Sequence, residues 1–88
     1  MDTATLLEDR GNDYGDFNTL SAISQDLKNT MRRHTENNRL QSYQEEALEM
    51  IFHKIARILN GNRQKIDTWQ DIAGYATLVE NKLREGNK

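Results

Sequence analysis

An all-α fold is predicted by three features of this 88-residue chain. Apolar residues recur at three- and four-residue spacings over Phe17, Leu20, Ile23, Leu27 and Met31, and again over Leu48, Ile51, Ile55, Ile58 and Leu59. That is the period of one helical face. Proline is absent, so no residue type forces a break in a helix. Start and stop signals bound the runs, with acids or hydroxyls before them and glycine after. The expected architecture is a single domain spanning 1–88 with three main helices at 17–34, 42–60 and 67–85. Its core is an antiparallel helical hairpin over about 42–83.

Residues 1–16 carry Leu6-Leu7 and then Arg10-Gly11-Asn12-Asp13-Tyr14-Gly15-Asp16. Two glycines around Asn and Asp are turn chemistry, so this segment is expected to be a turn-rich connector or a recognition loop. Asp16 is placed to cap the first main helix. Arg32-Arg33-His34 falls in that helix's last turn, where positive charge suits the dipole. Ser42-Tyr43-Gln44-Glu45 has the form of a capping box for the second helix, and Gly61 is expected to supply a left-handed end to it. Asp67, with Gln70 three residues on, is the expected cap of the third helix. That helix carries Ile72, Ala76, Val79 and Leu83 on its apolar face. Ala73-Gly74 inside it suggests a close approach by another backbone or by a ligand, since glycine there costs about 1 kcal/mol against alanine.

Composition narrows the function classes. Hydrophobic residues make up 35% and charged residues 30% of the chain, with a mean hydropathy of -0.93. So polar a small helical chain is expected to bury its apolar stripe as a homo-oligomer. A net charge of -2 argues against general nucleic-acid binding. The absence of cysteine excludes disulfides, thiolate metal sites and a cysteine nucleophile. No apolar run has the roughly 20 residues of a membrane span and the N-terminus lacks a signal peptide's basic start, so a cytoplasmic protein is expected.

Two constellations could carry chemistry. Glu46 and Glu49 lie one turn apart on one helical face, and Asp71 on the facing helix could complete an oxygen-ligand set for Mg²⁺. The same acids in a first turn also simply complement the helix dipole. Lys54 and Arg57, three apart, are either partners for Asp67 or Asp71 across the helix seam or a clamp for a phosphate or an acidic partner. Arg10 as an anion anchor and Tyr14 as a stacking platform, with Asp67 and Tyr75 on the last helix, complete the candidates for phosphate or partner binding. His53, alone at no metal spacing, is expected at the rim.

Arg10…Tyr14-Gly15-Asp16-Phe17, Lys54-Ile55-Ala56-Arg57-Ile58-Leu59-Asn60-Gly61 and Asp67-Thr68-Trp69-Gln70-Asp71-Ile72-Ala73-Gly74-Tyr75-Ala76 resemble a family of small phage and prophage proteins. More distantly, that family resembles the all-α MazG-like nucleotide pyrophosphohydrolases. The resemblance implies Mg²⁺ held by Glu-Glu-x-x-Glu on one helix and Glu-x-x-Asp on the next. Glu45-Glu46-Ala47-Leu48-Glu49 matches the first motif, whereas Thr68-Trp69-Gln70-Asp71 has threonine where the second begins. The implied function is a degenerate MazG-like domain in the host cytoplasm, binding a nucleotide phosphate or hydrolysing it. The alternative is a phage accessory protein that binds and inhibits a host protein, such as a defence complex in the manner of an anti-CRISPR.

Overall fold

The computed structural model describes residues 2–86. The described residues are all-α, but they form four helices rather than the expected three: α1 Thr3–Tyr14, α2 Phe17–His34, α3 Ser42–Asn60 and α4 Ile66–Gly86. The added helix is the N-terminal segment expected to be a turn-rich loop. Asp2 caps it, its Oδ1 accepting from the Thr5 N–H at 2.8 Å. Gly11, Asn12 and Asp13 continue the helix instead of breaking it. The turn comes only at Gly15, whose φ of 79° ends α1 while its N–H donates to the Gly11 carbonyl at 2.9 Å. The energetic cost of glycine and asparagine in a helix is offset by tertiary anchoring, since α1 buries no residue of its own and is held at its C-terminal end.

α2 starts where expected. The Asp16 carboxylate accepts from the backbone N–H of Thr19 at 2.9 Å and from its hydroxyl at 3.1 Å. Arg32, Arg33 and His34 occupy the last turn, as the dipole argument requires. The starts of the other two helices shift by one residue. Ser42 is the first residue of α3 rather than its cap; Gln41 takes that place, its N–H donating to the Gln44 side chain at 2.9 Å. Asp67 lies inside the first turn of α4, which begins at Ile66, so it acts there through the dipole and not as a cap.

α3 is the hub. Among the described residues, α2 and α4 both pack closely on it, and α1 packs against α2 and α3. The pairing of α3 with α4 is antiparallel: Lys54 meets Asp71, and the Lys82 ammonium lies over the Tyr43 ring. Small residues, Ala47 and Ala56, are the deepest apolar positions of α3 together with Ile58, and Leu20 and Met31 complete the buried apolar set. Phe17 and Leu59, expected in the helix cores, are instead exposed. Ser24 and Thr68 are buried, each with 3% of its surface accessible.

Two glycines differ sharply in what surrounds them. Gly61 does not adopt a left-handed conformation; its φ is -149°. It is needed for proximity, because a Cβ there would strike the Asp13 carbonyl and lie 2.5 Å from the Tyr14 Cα. Gly74 has nothing near its would-be Cβ, so no backbone among the described residues makes the close approach expected at Ala73-Gly74. Gly61→Ala is therefore expected to destabilise by about 1–3 kcal/mol through overpacking. Gly74→Ala should stabilise by about 0.5–1 kcal/mol by restricting the unfolded chain. Denaturant midpoints moving in opposite directions would bear this out, and a shared direction would refute it.

Candidate functional site

The corner between α1 and α2 is built by side chains and backbone from the far end of α3. The Asn60 amide donates to the carbonyls of Tyr14 at 3.0 Å and Asp16 at 2.9 Å, spanning the turn. The Asn62 N–H donates to the Asp13 carbonyl at 2.6 Å. Lys65 pairs with the Asp13 carboxylate at 2.8 Å, and that hydrogen bond holds its ammonium above the ordinary lysine range. These bonds seat α1 so that the Tyr14 ring lies beneath the Arg57 guanidinium, 4.2 Å from its carbon to the ring centroid. A guanidinium over an aromatic face is attracted by the ring quadrupole and keeps its forked donors at the edge.

Beside this stack is a cavity of about 460 Å³. Arg10, Tyr14, His53 and Arg57 reach it, and Leu7, Phe17 and Leu20 supply apolar wall. The Asp16 carboxylate also borders it but is already engaged by Thr19. Among the described residues Arg57 has no ion pair, and its Nε is buried without a hydrogen-bond partner. Burial first, then the positive charges of Arg57, Lys28 and Lys54, hold the His53 imidazole below its ordinary value of 6.5. The cavity therefore has cationic and neutral donors at one side and apolar surface at the other.

Of the residues expected to bind a phosphate or a partner, Arg10, Tyr14 and Arg57 come together here. Lys54 is not with them; its ammonium is ion-paired to Asp71 at 3.0 Å across the α3–α4 seam. Tyr75 lies with Gln70, Asp71 and Leu78 in a shallow depression on α4, and Asp67 is exposed at that helix's start. The three acids expected to hold Mg²⁺, Glu46, Glu49 and Asp71, are not brought together as a set. Among the described residues no three His, Asp or Glu side chains gather closely enough to hold a metal ion. Asp71 is occupied by Lys54, and Thr68, standing where the MazG-like motif would have an acid, is buried.

A family model described as "Domain of unknown function (DUF6378)" matches residues 2–83, nearly the whole chain. The chain belongs to that family. Comparison with curated proteins and with solved structures returns no match. In this DUF6378 chain the motifs singled out from sequence thus have different fates. Tyr14-Gly15-Asp16 and Asn60-Gly61 form one joint, whereas Lys54 and Asp71 form a seam. His53 and Asn60 are the residues that sequence reasoning set aside. His53 lies four residues before Arg57, which places both on one face of α3, and that spacing was the available signal.

The Lys54–Asp71 pair is unequal, with 11% of the Lys54 side chain exposed against 49% of the Asp71 side chain. Asp71→Asn should therefore cost about 1–2 kcal/mol by leaving a covered ammonium unpaired. Lys54→Met, which leaves a carboxylate that water can reach, should cost less; equal denaturant midpoints would contradict this. The depressed His53 pKa has a defined sign. The folded state disfavours the imidazolium, so this contribution to stability is present above pH 6.5 and lost as pH falls through the lower folded value. The fall in melting temperature between neutral and mildly acidic pH should be smaller in His53→Gln than in the wild type.

Proposed function

We propose that this chain is a non-catalytic binding module for an anionic ligand with a flat or apolar body, the nucleotide-phosphate class, taken into the cavity at the α1–α2 corner. One observation carries the reading: the half-buried Arg57 guanidinium has no ion pair among the described residues, stacks on Tyr14 and borders a cavity that Arg10 and His53 also reach. A structural arginine normally spends its fork on a carboxylate or on carbonyls. Here those donors are left for a ligand. A cavity of about 460 Å³ falls in the range of small-molecule sites. Its Leu7, Phe17 and Leu20 wall suits the uncharged part of such a molecule.

Binding, not hydrolysis, is the reading because the acids lie elsewhere. Glu46 is exposed and Asp71 is held by Lys54, so the described residues offer no prepared Mg²⁺ site beside the cavity. A bound anion would also stabilise the His53 imidazolium, so binding takes up a proton and tightens as pH falls toward the depressed pKa that His53 has in the free protein.

Calorimetric titration with nucleoside mono-, di- and triphosphates in the absence of metal tests this. Arg57→Ala should weaken binding at least about tenfold, the scale of one charge-assisted pair. Glu49→Gln should leave it unchanged. No binding by any nucleotide, or binding indifferent to Arg57→Ala in a variant of unchanged helix content, would overturn the proposal.

A further inference from the structure

The chain exposes more surface than a monomer of its mass. Its accessible area is 6601 Å², whereas a compact monomer of 10.2 kDa exposes about 5,300 Å². The excess of about 1,300 Å² is within the roughly 1,000–2,500 Å² that each partner buries in an obligate homodimer. Shape agrees. The radius of gyration is 15.2 Å against about 12 Å for a compact chain of this length.

That surface has a pattern on α4. Thr68, Ile72, Tyr75 and Val79 turn toward the rest of the molecule, being buried or half-buried. A second row, Ile66, Trp69, Ala73, Ala76, Glu80 and Leu83, is exposed along its whole length. Its alternating three- and four-residue steps are those of a helix–helix seam. Trp69, with 53% of its surface exposed, is fixed there by its indole N–H donating to the Arg63 carbonyl at 2.9 Å. A rigid exposed tryptophan is characteristic of an interface anchor. Glu80, the row's one charge, is neutralised within the helix by Arg84 at 3.0 Å.

We propose that a second copy of this chain covers this row, with the two α4 helices antiparallel about a two-fold axis between Ala73 and Ala76. The proposal is independent of the nucleotide cavity. Small residues at the centre let the helix axes approach, and the antiparallel register sets Ile66 of each copy opposite Leu83 of the other. Trp69 of the second copy then comes opposite Glu80 and beside Val79, which with Leu48, Ile51 and Ala76 lines an apolar groove of about 300 Å³. The row is self-complementary: large residues at the ends, small in the middle, and a groove for the ring.

Sedimentation equilibrium should return twice 10.2 kDa for the wild type. The emission of Trp69, the chain's single tryptophan, should shift to the red on dilution as the dimer dissociates. Ala73→Glu, at a position exposed in the single chain, should give a folded monomer with red-shifted emission, while Asn81→Glu, off the row, should remain dimeric. A wild-type mass of 10.2 kDa at high concentration would overturn the proposal, as would a dimeric Ala73→Glu. Should Ala73→Glu fail to fold, the wild type decides: dissociation with unchanged Trp69 emission would place the interface elsewhere and sink the idea.

Discussion

The two hydrogen bonds from the Asn60 amide to the Tyr14 and Asp16 carbonyls hold the functional end of the molecule together. A turn between helices leaves backbone carbonyls without intrahelical partners, and a buried carbonyl left unpaired is costly. One side chain satisfies both, and its reach sets the distance between the last turn of α3 and the corner. Gly15 and Gly61 follow from that distance, since a Cβ at Gly15 would strike the Asn60 carbonyl and one at Gly61 the Tyr14 backbone. Tyr14 is brought under Arg57 by the same joint, and the cavity opens beside them.

The rest of the fold is economical around α3. Alanines at 47 and 56 let neighbouring helices come close, but they contribute little apolar area each. The buried apolar set is small, and no large side chain among the described residues is fully enclosed. Such a chain has little stability to spare, which is why an unpaired guanidinium and an unsatisfied Ser24 hydroxyl are conspicuous. Arg57 lies where a ligand could repay its desolvation. Ser24 has no such role visible around it.

Periodic stretches were legible in the residues. α2 and α3 span the expected 17–34 and 42–60, because their apolar faces repeat at helical spacing and Asp16 caps as acids do. α1 was not legible. Gly11-Asn12-Asp13 has turn chemistry, and the bonds that hold it helical come from Asn60, Asn62 and Lys65, some fifty residues away. Among the site residues, Arg10, Tyr14 and Arg57 could be named as anion or partner ligands from their chemistry. Their meeting in one cavity depends on α1 being a helix seated on α3, and His53 became part of the group only then.

What the sequence by itself determined was the helical class, the Asp16 cap and the two long amphipathic faces, all matters of local spacing and dipole. No membrane-crossing length exists in any helix among the described residues. The tertiary structure decided the fourth helix, the corner joint and the fate of each charge. Lys54 and Arg57 are three residues apart on one helix, yet one is spent on Asp71 and the other faces a cavity. Sequence spacing places both on neighbouring faces of α3. Only the packing of α4 on one side and α1 on the other determines which charge meets a carboxylate and which meets open space.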